Sequence, residues 1–529
     1  MNLGFFRKSE NLREEGKIMK KSSLLQATKE GFRFEEITVN ELLSGYEEGE
    51  YTIEEVVCSY LNRIEQYEHI YNAFTFINPN AVEEAKEIDR MREAGKELGP
   101  LAGVPIVIKE AVDVAGFPST FGWAPLSKES GGIELMPTKD APIVTRLKEA
   151  GAIILGKTNI PAFSCAYNAN SSWDGPTYNA VNMAITPGGS SSGTATAVSG
   201  NFAMLGVAEE TAGSIQVPAA AQSLVGIKTS FGLVPTLGVT PLAGSTRDVL
   251  GPHARTVKDA AIMLDVIAGY SEEDVKTKAS IGNLPERGYA NFLEDYSLEG
   301  KRIGLYGPGW RSEELSKETQ ELYFTAIEEL KQQGAEVIAD PFAGTGFAAY
   351  MQTIPQFIGM ESFFYDLENY LKNLDETFSI KNVFQKAGNV PWTEDGPLAL
   401  VSDIINAETA KADPSVLPNL TRFNEVKSEL LRIIHGVMED HQLDGFVYPQ
   451  MPKAMPSIRE DNVESTTISE INISGLPLIT VPAGYYEAGS PFALAFFGKM
   501  WSEAELIGMA YSYEQVTKLR GAPTLKEIL

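Results

Sequence analysis

Apolar positions along the chain follow two periods. In EYTIEEVVCSYLNRIEQYEH, Val56, Tyr60, Ile64 and Tyr67 recur at steps of three and four. They follow Thr52 and Glu55, which stand at capping-box spacing, and the whole predicts an amphipathic helix. In GVPIVIKEAVDVAG the run from Val104 to Ile108 is continuously apolar, the pattern of a buried strand, with Lys109 at its end. APIVTRLKEAGAIILGKTN predicts a helix closed at Gly151 and then a strand over Ala152 to Leu155. The same order recurs at KRIGLYGPG, ELYFTAIEELKQQGAEVIAD and DGFVYPQ. Helix and strand in succession predict an α/β fold around a large mixed, largely parallel sheet. No Pro/Ser/Gly-rich linker divides residues 70–529. The expected organisation is an extension or unstructured stretch over 1–30, an N-terminal helical lead-in over 31–70 and one α/β domain over 71–529. A helical, aromatic-rich cap is expected at about 340–425, and Met19 is a second candidate start.

Composition narrows the function classes. Hydrophobic residues at 43% and charged residues at 22% are ordinary for a folded globular chain of 529 residues. A formal charge of −27 repels phosphate backbones and anionic lipid, which argues against direct nucleic-acid or membrane-surface binding. Cys58 and Cys165 stand far apart and form neither a disulfide framework nor a zinc motif, in keeping with a reducing cytoplasm. The N-terminal stretch lacks the apolar core of a signal peptide, and no apolar run is long enough to span a bilayer. The expectation is a cytoplasmic protein.

Two motifs match in letters and fail in chemistry. GAIILGKT, residues 151–158, fits the P-loop pattern, but here the intervening residues are themselves the strand, and Pro161 follows where a helix should begin. GSSSG, residues 189–193, fits a nucleophile elbow with Ser191 attacking, a scheme that needs a downstream histidine. Only His253, His435 and His441 lie downstream, none in a stretch that announces a catalytic loop. A histidine-dependent esterase using Ser191 is therefore the weaker alternative. No serine has a lysine three residues on, so the S-x-x-K enzymes drop out.

A third reading joins Lys109, the serine run and a second serine segment. TIEEVVCSYLNRIEQYEHIYNAF, LAGVPIVIKEAVDVAGFPSTFG, LGKTN, TPGGSSSGTATAV, AGSIQVPAAAQSLVGIKTSFGLVP and NISGLPLITVPAGYYEAGSPFALAFFG occur in that order. Together they resemble the amidase signature family of amide hydrolases over most of the chain. The resemblance implies a large mixed sheet with helices on both faces. It implies Ser214 as nucleophile, Ser190 as proton relay and Lys109 as base, with Ser190 and Ser214 at the family's spacing of 24 positions. It also implies a cis peptide at Gly189-Ser190, a supporting hydrogen bond from Ser191, and an oxyanion hole from the backbone of Thr211, Ala212 and Gly213 with Ser214. The chemistry is sound in itself: a serine hydroxyl attacks poorly until a base takes its proton, and a neutral lysine is a strong base. A free lysine titrates near ~10.4, so neutrality at pH 7 asks for a lowering of about three pH units, roughly 4 kcal/mol. The apolar run before Lys109 is the source of that desolvation.

The chain departs from the family where Thr-Asp, two glycines and an arginine are common. It carries Glu209-Glu210, Ala212 and Gln216 instead. Glu210 keeps a carboxylate, which a neutral Gln216 cannot meet with an ion pair. The expected activity is a cofactor-free and metal-free amidase acting on a small-molecule amide through an acyl-enzyme. A glutaminase-type subunit of a tRNA amidotransferase is the other alternative, disfavoured by the charge and by Glu209-Glu210. Oligomeric state is open, a homodimer included, and the substrate is not specified. The aromatic stretch FAGTGFAAYMQTIPQFIGMESFFYDLENY reads as core before it reads as a pocket wall.

Overall fold

A computed structural model describes residues 32–167, 170–399, 413–460 and 463–526. The extension expected over 1–30 and the start at Met19 lie outside the described residues, as does part of the stretch expected as a cap. Chain contacts divide the protein into two units, Met1–Glu35 and Glu36–Leu529, and the fold and site below belong to the second.

Two capped helices lead in. Helix α1 (Val39–Glu48) starts on Thr38 and ends on left-handed Gly49. Helix α2 (Ile53–Tyr71) starts on Thr52, whose hydroxyl accepts from Glu55 N while Glu55 accepts from Thr52 N. The α2 residues at helical spacing, Val56, Tyr60, Ile64 and Tyr67, are its buried face.

Eleven strands form one sheet. They are β1 (Phe74–Ile77), β2 (Pro105–Lys109), β3 (Ile153–Thr158), β4 (Leu205–Glu210), β5 (Val225–Lys228), β6 (Val249–Ala254), β7 (Arg302–Leu305), β8 (Glu336–Ile338), β9 (Gly445–Pro449), β10 (Leu478–Tyr485) and β11 (Pro491–Phe497). Their order across the sheet is β1-β3-β2-β4-β6-β5-β10-β11-β9-β7-β8. The sheet is mixed as expected but not largely parallel. Parallel pairing holds in two blocks, β3-β2-β4 and β9-β7-β8, which hold the strands predicted from the sequence together with β4, which was not predicted. Every other pairing is antiparallel. The reversal comes from local connections that hydropathy does not report, such as the β10–β11 hairpin, closed by Tyr486 N donating to Ser490 O at 2.8 Å with Gly489 at φ +80°.

The strand residues of β2, β3, β4, β5, β6, β9 and β11 are buried throughout, as a sheet covered on both faces requires. GAIILGKT is helix end and strand, with Gly151 at φ +85° and Ile153–Thr158 in the sheet, so no phosphate loop forms there. The aromatic residues after 340 divide between two cores. Phe342 and Phe347 pack on Trp310, whereas Phe363, Phe364 and Tyr370 join Phe121, Trp123 and Phe163. These buried residues are core, as the composition of the stretch suggests.

Candidate active site

Strand β2 carries Lys109 to the edge of the sheet core with no exposed surface. Its Nζ lies 2.7 Å from Ser190 Oγ, 2.9 Å from the Glu209 carbonyl and 2.7 Å from Glu209 Oε2. Burial pulls the lysine below its ordinary range, with the Glu209 carboxylate opposing.

Ser190 sits in a turn that only small residues allow. Gly188 has φ +72°, and a Cβ there would lie 2.7 Å from Pro218 Cα. A Cβ on Gly189 would lie 2.5 Å from Ala166 O. The Gly189-Ser190 peptide is cis, as the resemblance implies. Ser191 Oγ donates to the Glu209 carbonyl at 3.1 Å, the acceptor that also receives Lys109, and helix α3 (Ser192–Ser199) follows.

Ser214 occupies the turn between β4 and helix α4 (Gln216–Ala221). Its side chain makes no hydrogen bond among the described residues and is 6% exposed, so a hydroxyl is left open to a ligand. The amides of Thr211, Ala212, Gly213 and Ser214 likewise donate to no acceptor among the described residues. Ala212 fills a family glycine position without a positive φ, while Gly213 needs φ +92°.

Glu210 fixes this turn. Its Oε2 accepts from Ile215 N at 2.7 Å and Gln216 N at 3.2 Å, and its Oε1 from Gln216 Nε2 at 2.6 Å and Asn472 Nδ2 at 2.8 Å. Gln216 thus meets Glu210 through a hydrogen bond in place of an ion pair. Its own carbonyl accepts from Gln450 Nε2 at 3.1 Å and Thr467 Oγ1 at 2.8 Å, a neutral setting for a neutral side chain. Tyr167 adds a hydrogen bond to the Ala212 carbonyl at 2.6 Å.

His253 is engaged by the backbone beside Ser214. His253 Nε2 donates to the carbonyl of Ile215 at 2.9 Å, and burial holds the ring at about 4, hence neutral. Sequence reasoning missed this brace on the residue after Ser214. It also missed the Glu209 carboxylate, Asp248 and Tyr167 as neighbours of the site. All come from strand ends and loops whose register is absent from a linear pattern.

A second buried lysine lies on the adjacent strand. Lys157 of β3 is also fully buried, and burial lowers it, but its contacts are Pro118 O at 3.1 Å and Ser119 Oγ at 3.4 Å. No carboxylate lies within 4 Å of its Nζ among the described residues. Near it Asp113 accepts from Ser119 Oγ at 2.6 Å and Tyr370 OH at 2.8 Å, and burial pushes Asp113 up to about 6.

The Amidase family model matches residues 55–507, which span every residue described here around Ser214. The chain belongs to the amidase family. This amidase is a hydrolase of carbon–nitrogen amide bonds. It is similar to the native peptide amidase of Stenotrophomonas maltophilia, at 31% identity and TM-score 0.75, over 93% of this chain and 99% of that one. An amidase family protein of Bacillus anthracis str. Ames is 30% identical at TM-score 0.76, over 93% and 92%. A glutamyl-tRNA(Gln) amidotransferase subunit of Prochlorococcus marinus (strain MIT 9211) is 30% identical over 484 residues, 88% of this amidase and 94% of the relative. Among the described residues no helix is long and apolar enough to cross a membrane.

Proposed function

We propose that this amidase cleaves a small carboxylic acid amide to the carboxylate and ammonia or an amine through an acyl-enzyme on Ser214. Ser190 relays the Ser214 proton, and Lys109 receives it. The observation that carries the reading is the 2.7 Å contact of a fully buried Lys109 Nζ with Ser190 Oγ. A lysine there has a lowered proton affinity and an acceptor geometry that faces the serine hydroxyl. The unpartnered amides of Thr211, Ala212 and Gly213, with that of Ser214, are an oxyanion hole: they hold the charge that grows on the carbonyl oxygen as the tetrahedral centre forms. No cofactor or metal enters this scheme. The charge of −27 supports a small-molecule substrate over a nucleic-acid partner, and the two isolated cysteines support a cytoplasmic setting.

Similarity to the Stenotrophomonas peptide amidase puts peptide amides first among candidate substrates. The similarity to an amidotransferase component supports a second reading, a glutaminase that works within a complex. Purified protein incubated with primary amides, anilides, peptide amides and glutamine separates the two. Hydrolysis of simple amides by the lone chain is the expected result, and turnover of glutamine alone would favour the second. A fluorophosphonate probe is expected to label Ser214, read by mass spectrometry of the modified peptide. Label on Ser191 would overturn the assignment.

A further inference from the structure

A lysine without exposed surface faces two demands that conflict. Burial favours the neutral amine that can accept a proton, but the same burial makes the amine a weak base, unable to hold that proton while Ser214 attacks. The structure sets a carboxylate against it. Glu209 Oε2 is 2.7 Å from Lys109 Nζ, and both side chains are buried. Threonine is common in the family where this chain has Glu209, so the common pattern supplies no such carboxylate.

Atom counting fixes how the pair works. A neutral Nζ has two N–H bonds and one lone pair. The Glu209 carbonyl at 2.9 Å and Glu209 Oε2 at 2.7 Å take the two N–H bonds, which leaves the lone pair for Ser190 Oγ at 2.7 Å. Behind Glu209 stands a second carboxyl group. Thr211 Oγ1 is 3.1 Å from Glu209 Oε1 and 2.7 Å from Asp248 Oδ1. A hydroxyl has a single proton, so both contacts are hydrogen bonds only when one carboxyl group is protonated. Burial and the neighbouring Glu209 charge push Asp248 up to about 7. With a proton on Asp248, Asp248 donates to Thr211 and Thr211 donates to Glu209, which leaves the negative charge beside Lys109; the amides of Leu242 and Ala243, donating to Asp248 at 3.0 Å, oppose that proton.

We propose that Glu209 is a positioning residue that sets the basicity of Lys109: its carboxylate is the counter-charge that lets a buried lysine take up and hold the serine proton, with Thr211 and Asp248 aiming it. The proposal rests on Lys109 being the base. As Ser214 Oγ bonds to the acyl carbon, its proton moves to Ser190 Oγ and the Ser190 proton moves to the Nζ lone pair. Lys109 becomes an ammonium paired with Glu209. When the C–N bond breaks, the electron pair leaves with nitrogen, and nitrogen receives the proton back along the same path. The other titratable or charged groups facing the cluster are Glu210 on β4, His253 on β6, held neutral, and Arg247 beside Asp248. Arg247 donates to the carbonyls of Gln356 and Ile358.

The test is the rate of Ser214 labelling by a fluorophosphonate as a function of pH, since fluoride leaves without needing a proton. In Glu209→Gln the rate at neutral pH is expected to fall about tenfold or more. The midpoint of the acid limb is expected to move down by about one pH unit or more, because removing a negative charge lowers the proton affinity of Lys109. Glu209→Asp should restore part of both, and Thr211→Val should give a smaller shift in the same direction. An unmoved midpoint in folded Glu209→Gln would overturn the proposal, whatever the fall in rate. Should that variant not fold, Glu209→Asp and Thr211→Val decide: a limb displaced downward in either supports it, and limbs superimposed on wild type overturn it. Failure of the Lys109 reading looks different: no label on Ser214 in the unaltered protein, or Lys109→Ala labelled as fast.

Discussion

Lys109 and Lys157 sit side by side on β2 and β3, both without exposed surface and both lowered by burial. Their surroundings differ. The parallel register pairs Ile108 with Lys157 and Lys109 with Thr158, so side-chain alternation sends the two lysines to opposite faces of the sheet. On one face Nζ meets a hydroxyl and a carboxylate, each at 2.7 Å. On the other it meets a backbone carbonyl at 3.1 Å and a hydroxyl at 3.4 Å. Desolvation alone therefore does not mark a catalytic lysine. What separates the two is a serine hydroxyl on one side and a buried carboxylate on the other, both at 2.7 Å from Nζ in Lys109 alone.

The comparison breaks first at Lys109. Lys109→Ala should reduce amide turnover by about 10³-fold or more, since the base and the proton source for the leaving nitrogen are lost together. A matched activated ester, whose leaving group needs little protonation, should lose much less. Equal losses on the two substrates would confine Lys109 to activating Ser214, and no loss on either would make the two lysines alike. Lys157→Met should keep amide turnover within about tenfold while lowering the melting temperature, because Glu110 and Asp113 then stay buried without a cation nearby. A turnover loss matching that of Lys109→Ala would place Lys157 in the chemistry.

The face of Lys157 also has its own pH signature. Asp113 is raised to about 6, so its contribution to stability is full below the ordinary carboxylate range and is lost as pH rises through 6. Between about pH 4 and 7 the unaltered protein should lose up to about 2 kcal/mol more than Asp113→Asn, as read by chemical denaturation. Parallel stability curves would count against that assignment. The smallest effect is expected at the histidines remote from both lysines. His435→Ala and His441→Ala should leave turnover within about threefold, and a collapse with either would revive a histidine base.

Much of this was legible in the sequence. Val104–Ile108 announced a buried strand because a continuous apolar run has few alternatives, and Lys109 followed from its position at the end of that run. Ser190 and Ser214 came from the motif resemblance; the contact of Lys109 with Ser190 is a fact of the fold. The antiparallel half of the sheet was not legible, because strand direction is set by turns and crossovers, whereas hydropathy reports burial alone. Glu209 read as a departure from a pattern. Its partnership with Lys109 joins residues 100 positions apart and depends on β4 lying parallel to β2. Gln216 looked like a lost ion pair until Gln450 and Thr467 supplied neutral partners from more than 200 positions away.

The clamp at Glu210 also bears on how the enzyme is made. Asn472, which donates to Glu210 Oε1, is 262 positions later in the chain, and β10, which pairs with β5 beyond the Ser214 turn, begins at Leu478. A ribosome that has released the first 400 residues has produced Lys109, both serines and Glu209, yet none of the side chains that brace the turn from the far side. Nascent chains should therefore be inert towards amides and towards serine-directed probes until Asn472 and β10 have emerged. Synthesis order thus places the brace of the Ser214 turn well after the residues it holds.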